Sequence, residues 1–188
     1  MTIDPSTLER IQRATRRQPE EILRMAGATS SDLFLLRYPG EEQQVLRLFR
    51  EERWDEAPGD LSAREGQILS ALSTIDLPTP SLISTLPDNG VIMSWLAGNV
   101  LLPDKPSKVW TAELADTLAG IHASEIEVPF SYASWNDTLN TPKPDWWQSP
   151  SLWADAQAAV SAEPSYRPTF IHRDYHPVNV LWQSNRLS

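Results

Sequence analysis

The 188-residue chain carries 16 basic and 25 acidic side chains, a net charge of -9, and so lacks the basic footprint that nucleic-acid binding leaves. It has no cysteine, which excludes a disulfide framework and thiolate metal sites and makes a reducing cytosol the expected compartment. Eight tryptophans in a 40% hydrophobic composition predict a packed core, either one substantial domain or two small lobes sharing a cleft.

The chain opens Met1-Thr2-Ile3-Asp4-Pro5, with neither the basic start nor the apolar stretch of a signal peptide, and no apolar run reaches membrane-spanning length. Asp4-Pro5 followed by Leu8, Ile11 and Ala14 predicts an N-capped amphipathic helix, with Arg13, Arg16 and Arg17 on its solvated face. Met25 to Asp32 is a small-residue polar loop leading into a strand from Leu33 to Tyr38. Pro39-Gly40 turns the chain, and a second strand runs from Gln44 to Arg50. A loop before such a hairpin is the place for a phosphate flap, although Gly27 alone is available to build it.

Ser62-Ala63-Arg64-Glu65 has capping-box spacing and predicts a helix running to about Ser73, with Ile68, Leu69 and Leu72 on the apolar face. Leu77-Pro78-Thr79-Pro80 ends it, and strands at Leu82 to Leu86 and Val91 to Leu96 flank the turn Asp88-Asn89-Gly90. Beyond Gly98 the period changes: Val109, Trp110, Leu114, Leu118 and Ile121 recur at helical steps within Ser107 to Ala123. Val128 to Pro150 reads as an irregular loop with aromatic anchors, and Ser151 to Glu163 as an alanine-rich helix. Phe170-Ile171 then enters a polar turn, and a strand leaves it at Val180 to Gln183, turning at Ser184-Asn185. The pattern as a whole predicts an α+β fold of two lobes, β-rich over residues 1–97 and helical over 98–188.

The polar turn carries the chemistry. Asp174 and Asn179 stand five residues apart, flanked by apolar runs that pin both ends. An aspartate can orient and deprotonate a hydroxyl, and an asparagine carbonyl can face a hard divalent cation, the pair of tasks that phosphoryl transfer needs. Two other uses fit the same residues. Asp174 and Asn179 could cap an Asx-rich turn. His172, Asp174 and His176 could face one way along an extended segment as ligands of a zinc hydrolase.

His172-Arg173-Asp174 with Asn179 resembles the kinase catalytic loop H-R-D-x-x-x-x-N. With His176 and Leu181 it is similar to the loop H-G-D-x-H-x-x-N-x-L of the aminoglycoside phosphotransferase and choline-kinase-like family, though Val178 stands where that family usually has glycine. The resemblance implies a two-lobed protein-kinase-like fold and transfer of phosphate from ATP, with Mg2+, to a hydroxyl of a small molecule; the composition sets the cytoplasm as the expected compartment and argues against a nucleic-acid or membrane partner. Asp174 would be the catalytic base and Asn179 a metal ligand. Val45-Leu46-Arg47 resembles the family's V-L-R strand, which would set Arg47 along the nucleotide phosphates. Glu65 would be the helix glutamate paired with it; otherwise Glu65 serves the capping box and Arg47 a solvent face. Val91 to Gly98 resembles the hinge between lobes, with the backbone of Ser94 and Leu96 meeting the adenine. In that family a further strand delivers a magnesium-holding aspartate, and the sequence reaches Ser188 within that strand. A C-terminally truncated chain is therefore expected, either an impaired enzyme or a silent remnant that at most binds nucleotide.

Overall fold

A computed structural model describes residues 3–28, 30–50, 58–131, 140–161, 165–184 and 186–188. Helix α1 spans Pro5–Thr15 and starts where the sequence predicts, since the Asp4 carboxylate accepts from the Thr7 amide at 3.0 Å. Hydrogen bonds from Ser6 and Thr7 hold that carboxyl well below the usual carboxylate range. Strand β1 (Glu21–Met25) follows, then β2 (Ser31–Arg37) and β3 (Gln44–Phe49). Helix α2 covers Pro58–Leu72, and β4 (Leu82–Leu86) and β5 (Gly90–Ser94) form a hairpin. The five strands make one antiparallel sheet in the order β1-β2-β3-β5-β4.

The sheet has a helix on each face, and strand alternation decides which residues meet which helix. Ile11 of α1 packs with Phe34, Leu36, Leu46, Leu86 and Ile92 in one core cluster. On the opposite face Leu69 of α2 packs with Val91 and Met93. Gly66, one turn before Leu69, lets α2 approach β4 so closely that a Cβ there would lie 2.5 Å from the Thr85 methyl.

Three predicted features differ. Strand β1 was not expected; its five residues alternate weakly, and what makes them a strand is the antiparallel register with β2, Glu21 opposite Arg37 through Met25 opposite Leu33. The capping box is absent: α2 begins at Pro58, so Ser62 lies inside the helix. Ser62 is fully buried, donates its hydroxyl to the Leu86 carbonyl at 2.8 Å and lies against the Gly90 carbonyl. Its task is to tie α2 to the β4–β5 hairpin. Finally, β5 ends at Ser94, so Leu96 stands in the irregular segment that follows.

Helix α3 (Lys108–Ala123) is capped by Ser107, whose hydroxyl accepts from the Trp110 amide at 3.1 Å. The chain returns at Thr169, forms a 3-10 turn at Pro177–Asn179, and closes in a short hairpin of β6 (Trp182–Gln183) and β7 (Arg186–Leu187). The expected strand from Val180 is thus shortened by the turn that carries Asn179. Within the expected turn, Asn185 lies outside the described residues.

The chain forms two compact units, Met1–Val128 with Thr169–Ser188, and Pro129–Pro168. Local bonding ties the C-terminal hairpin into the first unit. Asn99 and Trp182 exchange backbone hydrogen bonds of 3.1 and 2.9 Å, and the Ser188 hydroxyl donates to the Ala97 carbonyl. Gly98 makes this closeness possible: its φ is +136°, and a Cβ would stand 2.8 Å from Ser188 Oγ and 3.0 Å from the Trp182 carbonyl. In the second unit, α4 (Pro150–Ser161) buries none of its residues, and Trp147 meets Trp146 and Trp153 edge to face. Of the irregular loop expected before it, residues 132–139 lie outside the described residues, as does the expected helix end at Glu163. Among the described residues no helix is long and apolar enough to cross a membrane.

Candidate active site

Arg47 and Glu65 form the first half of the candidate site. Arg47 sits on β3 opposite Val91, and therefore on the sheet face that receives α2. Its Nη1 donates to Glu65 Oε1 at 2.8 Å, with both side chains about three-quarters shielded, at 27% and 25% exposure. Two residues not singled out in the sequence complete its cradle. Arg47 Nε donates to Ser31 Oγ at 3.2 Å, and the guanidinium carbon lies 5.0 Å from the centre of the Phe49 ring. The signal that would have found them is strand register: Ser31 pairs with Phe49 and Leu33 with Arg47, so all four share a face.

The other arginines of this sheet are differently employed. Arg50 grips Asp32 through two bonds of 2.9 and 2.5 Å, and Arg24 adds a third of 2.7 Å. The Arg50 hydrogen bonds hold the Asp32 carboxyl below its ordinary range, against the opposing effect of burial. Asp32 pairs with Leu48, so this cluster projects from the face opposite Arg47.

Asp174 and Asn179 form the second half. Asn179 Nδ2 donates to Asp174 Oδ2 at 2.8 Å and to the Asp174 carbonyl at 3.0 Å, and lies 3.0 Å from His176 Nε2. His176 Nε2 is also 3.3 Å from Asp174 Oδ1. The Asp174 side chain is 75% exposed.

The loop is pinned from beneath by α3. The Tyr175 hydroxyl donates to the Leu114 carbonyl at 2.9 Å, and burial pushes its phenol above the usual range. Trp182 stacks on Trp110 at 5.3 Å with a 13° tilt. Thr169 donates to the carbonyl of His122 at the end of α3. His172 accepts from the Asp174 amide at 3.3 Å and meets the Tyr175 ring edge to face, which supports the turn from inside.

The sequence-predicted residues thus come together as two contact pairs, Arg47 with Glu65 and Asp174 with Asn179. Ser94 is tied to Ser81 instead: its amide donates to the Ser81 carbonyl at 2.9 Å, and its hydroxyl accepts from the Ser81 amide at 2.9 Å. Leu96 is half-buried in the segment after β5. The zinc-hydrolase arrangement does not form: among the described residues no group of three or more His, Cys, Asp or Glu side chains could hold a metal ion, His172, Asp174 and His176 included. His172 is directed at the Asp174 backbone rather than toward a shared point with the other two.

A hard oxygen-seeking cation fits the loop better than zinc does. The hydrogen bonds of Asn179 described above run through its nitrogen, which leaves Oδ1 as an oxygen donor beside the Asp174 carboxylate. Mg2+ characteristically takes one or two such protein oxygens and completes its shell with water and substrate phosphates.

A helix-flanked antiparallel sheet carrying a buttressed arginine, followed by a helix-supported Asp/Asn loop, defines a protein-kinase-like phosphotransferase fold. The family model of the phosphotransferase enzyme family, APH, matches residues 21–188, and the chain belongs to that family. Solved structures agree on the fold. The ADP-bound aminoglycoside phosphotransferase APH(2'')-Ib superposes with a TM-score of 0.65 at 19% identity, covering 98% of this chain and 68% of that one. The apoenzyme of macrolide 2'-phosphotransferase MphH from Brachybacterium faecium gives a TM-score of 0.65 at 17% identity, covering 97% and 68%. The streptomycin-ATP-APH(2'')-IIa ternary complex gives 0.61 at 17% identity, covering 100% and 69%. No curated protein matches the chain significantly.

Proposed function

We propose that the chain is an ATP-dependent phosphotransferase that acts on a hydroxyl of a small molecule in the cytoplasm. The observation that carries this reading is the 2.8 Å ion pair between Arg47 of β3 and Glu65 of α2. A solvent-facing strand arginine needs no carboxylate, ring and hydroxyl to fix it; a phosphate clamp does, because a guanidinium binds phosphate in two-pronged fashion only when its plane is held. Residues 1–97 act as the nucleotide-binding lobe and 98–188 as part of the catalytic lobe, with the β1–β2 loop over the phosphates and the Ser94–Leu96 backbone against the adenine.

On the catalytic side, Asp174, whose side chain is exposed, accepts the proton of the attacking hydroxyl. Asn179 holds Mg2+, which when bound neutralises charge on the phosphate oxygens. Arg47 orients the phosphates, and Glu65 keeps Arg47 in place. The substrate is a neutral or cationic alcohol, in keeping with the chain's net charge of -9. Streptomycin and hygromycin B occur in complexes of two structural neighbours and mark the chemical class to screen first.

A second reading is nucleotide binding without turnover. Calorimetric titration with ATP and Mg2+, followed by a phosphotransfer assay over a panel of aminoglycosides, macrolides and amino sugars, separates the two. Binding with transfer supports the enzyme, binding without transfer supports the silent form, and no binding overturns both.

A further inference from the structure

A cavity of about 310 Å³ in the first unit lies outside both halves of the candidate site, between the segment after Gly98, the start of α3 and Trp182 of β6. Its size is at the lower end of ordinary ligand cavities, about 300–1,000 Å³. Leu101 and Val109 make apolar walls, and the stacked pair Trp110 and Trp182 makes another. Packing alone does not account for that pair. The indole nitrogens of Trp110 and Trp182 are both buried, and neither has a hydrogen-bond partner among the described residues. Trp182 as a whole is only 5% exposed. An indole N–H is a donor only, so nothing but an acceptor satisfies it, and folded proteins seldom leave such a group alone.

The same cavity is electropositive at one side. Lys105 lines it beside Ser107, the cap of α3. Ser107 takes the Trp110 amide, while the amides of Lys108 and Val109, in the first turn of this 16-residue helix, have no carbonyl within the helix to bond. Donors and positive charge gathered at an apolar cavity, in a chain of net charge -9, select an anionic acceptor. We infer that the cavity binds a small apolar carboxylate, an aryl or medium-chain alkyl acid. The hydrocarbon lies against Leu101, Val109 and the indoles, and the carboxylate meets Lys105 and the α3 N-terminus and supplies the acceptor the indoles lack. A compact phosphate would leave the apolar walls unused, and a neutral hydrocarbon would leave the donors unused. Both indole nitrogens are shielded, so the acceptor meets them only as the rings shift, and binding changes the 5.3 Å stack. None of these residues is among those assigned to phosphotransfer, so the ligand binds whether or not the chain turns over ATP.

The test titrates the full 188-residue chain with octanoate, with octanol as its neutral counterpart and with inorganic phosphate. Calorimetry reads affinity, and near-ultraviolet circular dichroism reads the tryptophan stack, since none of the three probes absorbs there. Octanoate is expected to bind and to change the tryptophan signal, octanol to bind about tenfold or more weakly, and phosphate to leave the signal unchanged. No octanoate binding, or equal affinity for octanoate and octanol, overturns the inference.

Two surface substitutions locate the ligand without disturbing the core. Val109 is 61% exposed, and Val109→Phe puts a larger ring at the cavity, so octanoate binding should be lost while the thermal melt is kept. Lys105→Ala should bring octanoate affinity down by about tenfold, toward that of octanol, and leave octanol itself unchanged. Undiminished binding in Val109→Phe places the ligand elsewhere, and octanoate affinity indifferent to Lys105→Ala removes the charge that selects a carboxylate; either result overturns the inference. The remaining occupant of an exposed apolar face is a second copy of the chain. Sedimentation velocity decides it: a dimer that Val109→Asp breaks assigns the face to self-association and overturns the inference, and a monomer in both chains supports the small-molecule site.

Discussion

Arg47 and Glu65 are 18 positions apart in sequence, on a strand and a helix, and meet at 2.8 Å on the sheet face covered by α2. The contact gives both residues one task. It turns an arginine that could have projected freely from β3 into a fixed group with one exposed edge.

Glu65→Gln is expected to cost only about 0.5–1 kcal/mol of stability, since the pair is partly open to solvent. Nucleotide affinity should fall further, by about tenfold, because Arg47 loses the partner that holds its plane. Calorimetry with ATP and Mg2+ beside a denaturant melt reads both; a stability loss with unchanged affinity would detach the pair from nucleotide binding.

Asp174→Asn should leave folding almost untouched, because the side chain is 75% exposed and its Asn179 bond can be kept by an amide oxygen. Phosphotransfer should drop by about 10²- to 10⁴-fold, the usual contribution of a general base. Rates measured at saturating ATP provide the check, and an undiminished rate would remove Asp174 from the chemistry.

Ser62→Ala removes a donor at a fully buried position and takes a hydrogen bond from each of the Leu86 and Gly90 carbonyls. The expected loss is about 1–3 kcal/mol in a urea melt. A capping serine would lose less and would be rescued by Asp, whereas Ser62→Asp should be worse than Ala, since it buries a charge beside two carbonyls.

Asp32 supplies a pH signature. Its carboxyl is held low by Arg50 first and Arg24 second, so its folded pKa lies below the unfolded value of about 3.9. A depressed carboxyl contributes stability that is fully present above the unfolded pKa and is lost as pH falls through the folded one. The wild type should therefore lose stability below about pH 4 more steeply than Asp32→Asn, and thermal melts between neutral and strongly acidic pH would show converging curves.

The elements most legible in the sequence are those set within a few residues of themselves. Asp4 and Ser107 cap their helices through the amides of Thr7 and Trp110, each three positions on, so spacing alone announces them. The turn at Asp88-Asn89-Gly90 and the loop from His172 to Asn179 are local in the same sense. Strand β1 was hidden because five short residues gain strand geometry only from pairing with β2.

The sequence by itself determined the family-bearing loop, the alternation of strands and helices, and the list of candidate residues, because these follow from covalent spacing and periodicity. The tertiary structure decided what Ser62 and Glu65 are for. Their Ser-x-x-Glu spacing suits a helix start and a helix interior equally, since both geometries set residues three apart on one side. Only the packing of α2 against the sheet separates the two: it buries Ser62 over the β4–β5 carbonyls and brings Glu65 to Arg47. Interactions across 18 or more residues depend on which faces meet, and which faces meet is a property of the assembled core.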